Sequence, residues 1–236
     1  MRVSGVLTFD GRQYVCNTPP FEERKYPFCY LFHGGGGSGG TFRVGMDIGT
    51  IVGEDTILVY PTATINQDGF TAWNCGGPFN PLVDDIAYLD TLLYAMIATG
   101  RVDTERMYIF GHSNGGMLCY RIICQQPTKY QGAYIMAGDL MSDISNPDTF
   151  AGKYTETHGT LDENVPIDGG LGDDSYYPID YASLYDVVPS FTKVPNHGIG
   201  NLNPLVGYGH PLADIKAGLI SQGTTLQDEV RNFIYT

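Results

Sequence analysis

Short apolar runs alternate with stretches of helical periodicity along this chain of 236 residues. Tyr26–Phe32, Thr56–Tyr60, Arg106–Phe110 and Gly132–Ala137 are brief and rich in aromatic or β-branched residues, as buried strands are. Pro61 is expected to close the second of these. A shorter strand is expected to lead into His158-Gly159, and Asp10-Gly11 reads as a hairpin turn between two β-rich segments within residues 3–17. The clearest helix runs from Asp84 to Thr99, with Ile86, Leu89, Leu93, Met96 and Ile97 on one face. Asp84 and Asp85 suit its positive N-terminus and Gly100 ends it. Further helices are expected within 43–53, from Met117 to Cys124, and around Leu226 to Ile234. Residues 62–81 read as a polar, glycine-bearing loop, and 169–207 show weak periodicity. Strands alternating with helices predict one α/β domain over residues 1–236, a mostly parallel sheet flanked by helices on both faces.

Composition narrows the partners. The formal net charge of −13 opposes nucleic acid and anionic membranes and suits a neutral substrate. No apolar run approaches the 18 residues of a membrane span. Met1–Leu7 lacks the apolar core of a signal peptide. The expectation is a cytoplasmic protein if Met1 is native and a secreted one if a leader was removed. The five cysteines include no C-x-x-C, so no metal site is expected. Cys119 and Cys124 read as core residues, and a disulfide among Cys16, Cys29 and Cys75 is left open.

The chemistry is carried by Gly111-His112-Ser113-Asn114-Gly115-Gly116, a G-x-S-x-G set between a strand and a helix. That context predicts a sharp turn lifting the Ser113 hydroxyl clear of the sheet. A nucleophilic serine needs a base, a group to orient the base, and donors for the oxyanion. In His158-Gly159-Thr160-Leu161-Asp162, the carboxylate three residues beyond the strand end makes Asp162 the acid, with Glu163 its neighbour and rival. His210, in Gly207-Tyr208-Gly209-His210-Pro211, is the preferred base over His197. Asn114 and a glycine of His33-Gly34-Gly35-Gly36-Gly37 would supply the oxyanion donors, with Gly35 preferred and Gly36 next. That loop lacks the lysine and hydroxyl residue of a phosphate-binding P-loop.

Together these segments resemble the α/β-hydrolase group of polyhydroxybutyrate depolymerases, feruloyl esterases and acetylxylan esterases. The resemblance runs over about residues 26–170. It takes in Phe32–Gly37, Val59-Tyr60-Pro61, Trp73-Asn74-Cys75-Gly76-Gly77, Asp84–Leu89, Val102–Tyr108, Gly111–Met117 and His158–Asp162. It implies an α/β-hydrolase fold and a cofactor-free serine esterase using Ser113, Asp162 and His210. It also implies Trp73 and Gly36 at the substrate cleft. Pro211-Leu212-Ala213 stands where the group has Trp-Pro-Gly, and Cys75 stands without the group's second cysteine. The substrate implied is a feruloyl or acetyl ester, either a small molecule or one linked to a plant-type polysaccharide, or else a polyhydroxyalkanoate. A serine peptidase or a non-catalytic binding module is the alternative from another class. Tyr176, Tyr177, Tyr181 and Tyr185, with Asp173 and Asp174, lie in the segment expected to shape the acyl site.

Overall fold

The computed structural model describes residues 4–20, 22–49, 52–144, 150–173, 177–191 and 200–236. It opens with the hairpin β1 (Ser4–Phe9) and β2 (Arg12–Asn17), turned by Asp10 and Gly11 at φ 48° and 73°. Then come β3 (Tyr26–Phe32), α1 (Gly39–Met46), β4 (Ile57–Pro61), the short pair β5 (Thr64–Ile65) and β6 (Thr71–Ala72), and α2 (Asp85–Ile97). Next are β7 (Val102–His112), α3 (Asn114–Gln125), β8 (Gly132–Met136) and β9 (Lys153–Gly159). The chain finishes with β10 (Gly170–Leu171), β11 (Asp180–Tyr181), α4 (Leu184–Ser190), β12 (Gly200–Leu205), α5 (Leu212–Ser221) and α6 (Leu226–Tyr235).

Eight strands form the main sheet in the order β1-β2-β4-β3-β7-β8-β9-β12. The pairs β1–β2 and β2–β4 are antiparallel, and every pair from β4 to β12 is parallel. Alternation divides the core. Phe28, Tyr30, Phe32, Met107, Ile109, Ala133 and Ile135 face one layer with α2, α3 and α4. Cys29, Leu31, Tyr108, Phe110, Tyr134 and Met136 face the other, with α1, α5 and α6. Because successive side chains of a strand point to opposite faces, central strands covered on both sides must be apolar throughout.

Several elements differ from the sequence-based expectation. The first helix starts at Gly39, not 43, because Ser38 caps it by accepting the Thr41 amide at 3.2 Å. It stops at Asp47, whose φ of 51° leaves the helical region. Pro61 closes β4 as expected, paired with Tyr14 as the strand's last residue. The 62–81 segment holds the β5–β6 pair and buries Trp73 and Cys75. Neither β12 nor α5 was anticipated. Gly200-Asn201-Leu202-Asn203-Pro204-Leu205 has poor strand propensity, yet at the sheet edge a proline is tolerated. In α5, Gly218 interrupts the apolar pattern, but a Cβ there would stand 2.8 Å from the Leu205 side chain. Among the described residues, no helix is long and apolar enough to cross a membrane. All five cysteines are free thiols, so no disulfide joins Cys16, Cys29 and Cys75.

Candidate active site

Parallel strands bring their carboxyl ends to one edge of the sheet, and the candidate residues gather there. Ser113 follows β7 directly with φ 55° and ψ −125°, a strained conformation for a residue with a side chain. Its amide donates to the Met136 carbonyl at 2.9 Å, and α3 begins at the next residue. A Cβ on Gly111 would stand 2.2 Å from the Gly115 carbonyl oxygen, and one on Gly115 would stand 2.3 Å from that of Phe32. The turn is too tight for any other residue at either position.

His210 joins the serine to the acid. Its Nε2 lies 2.8 Å from Ser113 Oγ and its Nδ1 lies 2.8 Å from Asp162 Oδ2. Asp162 Oδ1 accepts the Val165 amide at 2.8 Å. Burial alone would raise the Asp162 carboxyl, but hydrogen bonds from His158 and His210 outweigh it and hold it well below the usual carboxylate range. The neighbouring Glu163 is exposed, and His197 lies outside the described residues. The His210 loop is tied down from three sides. Leu161 N–H donates to the Tyr208 carbonyl at 2.8 Å, Gly207 N–H to Thr160 Oγ1 at 3.0 Å, and Gly209 N–H to Asp214 Oδ2 at 3.0 Å. Asp214 belongs to the first turn of α5, and Pro211 is the residue from which that helix starts.

The glycine loop after β3 separates the two donor candidates. Gly36 N–H is already bonded to the Thr71 carbonyl at 2.8 Å, and Gly37 N–H to that of Gly34 at 3.1 Å. The Gly35 and Asn114 amides have no acceptor among the described residues. Both residues line the cavity that contains Ser113, as does Gly36. Gly34 sets the spacing, since a Cβ there would lie 3.2 Å from Ser113 Cβ. His33 is buried, with Nε2 accepting the Ala63 amide at 3.0 Å and Nδ1–H donating to the Gly34 carbonyl at 2.7 Å. Desolvation pushes its pKa down to about 4, so it stays neutral.

Trp73 corrects an expectation. It is 0% exposed and does not line the cavity. Instead its indole N–H donates to the His33 carbonyl at 2.9 Å, and its amide donates to Asn114 Oδ1 at 2.7 Å. It therefore ties the glycine loop to the serine turn from behind. Arg12 stacks on the Trp73 and Tyr88 rings, at 5.3 and 3.9 Å, and pairs with Asp85 at 2.7 Å. Asp85 is fully buried and accepts the Asn74 amide at 2.6 Å. Asp84 alone caps α2, accepting the Ala87 amide at 3.0 Å. The paired aspartates thus do separate work, one capping the helix and one anchoring the tryptophan segment.

The cavity around Ser113 measures about 560 Å³. Phe70, Phe79, Met117, Val165 and Tyr181 form apolar and aromatic walls, and Thr41, Phe42 and Leu212 also line it. Of the tyrosines expected there, Tyr181 reaches the cavity. Tyr177 packs behind it against Phe70 and Phe79, with centroids 6.3 and 5.3 Å away, and bonds to Asp68 through its hydroxyl. Tyr185 is exposed away from the cavity, and Tyr176 and Asp174 lie outside the described residues. Asp173 is exposed.

Three residues were not singled out by sequence reasoning. His112 Nε2–H donates to the His210 carbonyl at 2.9 Å, and burial pushes its pKa down to about 4. Glu156 and His158 are fully buried beneath Asp162. A glutamate in the middle of the buried strand Lys153–Gly159 was the available signal, because a charge there requires a partner. Among the described residues no cluster could hold a metal ion.

The prolyl oligopeptidase family matches residues 84–164, the stretch from α2 through the serine turn to the acid loop. A probable feruloyl esterase C of Aspergillus terreus is 27% identical over 173 residues, covering 71% of this chain and 61% of that protein. A feruloyl esterase C of Emericella nidulans is 25% identical over 174 residues, again covering 71% and 61%. The chain thus spans about 61% of the length of these curated relatives. Among solved structures, a fluorophosphonate-binding serine hydrolase F of Staphylococcus aureus superposes with a TM-score of 0.68 at 12% identity, covering 100% of this chain and 99% of that one. A thermostable esterase superposes with a TM-score of 0.64 at 16% identity, covering 98% and 60%. With the sheet order and the serine turn, these matches show the α/β-hydrolase fold.

Proposed function

We propose that the chain is a serine carboxylic ester hydrolase. The observation that carries this reading is the unbroken line from Ser113 Oγ through His210 to Asp162, with both links at 2.8 Å. His210 Nε2 takes the Ser113 proton as Oγ attacks the ester carbonyl. The Asn114 and Gly35 amides bind the oxyanion. His210 then protonates the departing alcohol, and the acyl group remains on Ser113. A water molecule gives its proton to His210 and attacks the acyl carbon, which releases the acid and restores Ser113. Asp162 holds the ring tautomer and offsets its positive charge in both halves.

The cavity wall supports an aromatic substrate class. Phe70, Phe79 and Tyr181 supply three rings beside Ser113. Rings in offset or edge contact favour an aromatic acyl group. This supports a feruloyl-type ester, the substrate named for the fungal relatives, over an acetyl ester or a hydroxyalkanoate. The match to the prolyl oligopeptidase family raises peptide amides as the competing substrate. Hydrolysis of methyl ferulate, p-nitrophenyl acetate, a hydroxybutyrate oligomer and a prolyl p-nitroanilide, measured side by side, tests the reading. The highest kcat/KM is expected on the feruloyl ester. A preference for the anilide would overturn the ester assignment, and a preference for the acetyl or hydroxybutyrate ester would overturn the aromatic acyl assignment.

A further inference from the structure

Beneath the site lies a buried set of charges that the reaction above does not use. His158 stands between two carboxyl groups. Its Nδ1 is 2.9 Å from Glu156 Oε1, and its Nε2 is 2.7 Å from the Val165 carbonyl and 3.2 Å from Asp162 Oδ2. All three side chains are fully shielded from solvent. Their hydrogen-bond partners fix the protons. Val165 O accepts only, so Nε2 carries a proton. Glu156 Oε1 also receives the Gly138 amide at 3.3 Å, and Oε2 receives the Tyr120 hydroxyl at 3.3 Å. The Gly138 amide and the Tyr120 hydroxyl favour ionised Glu156 against the burial that raises its carboxyl, and an ionised Glu156 puts a proton on Nδ1 as well.

We propose that His158 is a positioning residue for the reaction centre: an imidazolium held between Glu156 and Asp162, it fixes the Asp162 carboxylate toward His210 and offsets part of its charge. The proposal rests on reading Ser113, His210 and Asp162 as the triad. Two imidazoles then share Asp162 Oδ2, and the orientation of that oxygen does not depend on His210 alone. The proposal also explains why β9, a central strand buried on both faces, carries a glutamate and a histidine. Each buried charge of the set then has an opposite charge within hydrogen-bond reach, as a buried ion requires. Burial opposes the charge on His158, but the hydrogen bonds to Asp162 and Glu156 win and push its pKa up to about 10. The other titratable groups felt here are Cys119 and Tyr120 on α3, Tyr134 on β8, Asp139 beyond it, Tyr154 on β9, and His112 and His210. Burial raises Asp139 to about 8, which leaves it mostly neutral at pH 7.

The whole chain labelled with ¹⁵N-histidine gives the direct test, because ring nitrogen shifts report protonation without any activity. Both His158 nitrogens are expected to be protonated from pH 6 to 9. A singly protonated ring at pH 7 would overturn the proposal. Glu156→Gln keeps an acceptor for Nδ1–H and removes the charge, so the ring should lose its proton at lower pH than in the wild type; an unchanged titration would also overturn it. In kinetics, His158→Gln is expected to lower kcat about tenfold with little change in KM. It should also shift the acid limb of kcat/KM upward by about one pH unit, because a cation near His210 has been removed. An unchanged limb and kcat would contradict the proposal. Ser113→Ala separates the two readings: if that variant stays active, the triad fails, whereas the ring-nitrogen result stands on its own.

Discussion

Asn114 and Trp73 grip each other through a reciprocal pair of hydrogen bonds. The Trp73 amide donates to Asn114 Oδ1 at 2.7 Å, and Asn114 Nδ2 donates to the Trp73 carbonyl at 3.2 Å. One end of this pair is the residue after Ser113. The other, through the indole N–H, holds the His33 carbonyl and hence the loop that carries Gly35. The two proposed oxyanion donors are therefore spaced by a tryptophan that never meets the substrate. Asn114→Ala leaves the backbone donor in place but releases the pair. We expect kcat to fall by about 10–100-fold, toward the loss typical of a missing donor, with KM little changed. Trp73→Phe, which loses the indole bond and part of the ring packing but keeps the reciprocal pair, should fall less. Steady-state kinetics on one ester checks both.

The aromatic wall makes a specificity prediction. Phe79 and Tyr181 line the cavity, and Tyr177 braces the wall from behind. Phe79→Ala should raise KM for a feruloyl ester several-fold, as the loss of an aromatic contact would, and leave p-nitrophenyl acetate nearly unchanged. Equal losses on both esters would remove the wall from acyl recognition. The variant and the two esters form a simple kinetic square.

The buried histidines act on stability with opposite signs on the two sides of about pH 6.5. His33 and His112 have folded pKa values near 4 against an ordinary 6.5, so below pH 6.5 the unfolded chain binds more protons. The stability they contribute is lost as pH falls from 6.5 to 4. His158 has the opposite sign. Its folded pKa is near 10, so its contribution is fully present below 6.5 and is lost as pH rises toward 10. Asp162 adds to the acid side, since its depressed carboxyl contributes above its unfolded pKa and loses that as pH falls further. Asp139, raised to about 8, loses its contribution as pH rises from about 4 to 8, so it adds to the alkaline loss and opposes the histidines on the acid side. Urea midpoints measured from pH 4 to 10 should therefore fall clearly above pH 6.5. His33→Gln should flatten the acid side.

The serine turn predicts its own intolerance. Gly111→Ala would drive a methyl group to 2.2 Å from the Gly115 carbonyl. The clash is with backbone, which cannot move aside cheaply, and the turn is already strained. A folded but inactive protein or no soluble protein is expected, judged by circular dichroism together with ester hydrolysis.

Much of this was legible in the sequence because it lies in local patterns. The strand before Ser113, the helix after it and the glycine loop after Phe32 each carry their own apolar run or turn residues. The acid loop was legible by its distance from a strand end. Trp73 was placed on the wrong side of the cleft wall, because an indole that bonds the His33 carbonyl and one that faces a substrate have the same sequence. β12 was missed because its Asn and Pro residues are those of a loop, and only its position at the edge of the sheet makes it a strand. α5 was missed because Gly218 looks like a break until Leu205 is seen packed against it. Asp85 and Arg12, 73 residues apart, could not be paired from spacing alone. The same holds for His112 and the His210 carbonyl, 98 residues apart.

The central claim is that Ser113 is the nucleophile of an ester hydrolase. Intact-mass and peptide mass spectrometry after treatment with a fluorophosphonate probe tests it most directly. One adduct per chain is expected, on the peptide containing Ser113, forming in step with loss of ester hydrolysis and absent from Ser113→Ala. An adduct elsewhere, or a Ser113→Ala protein that hydrolyses esters at the wild-type rate, would contradict it.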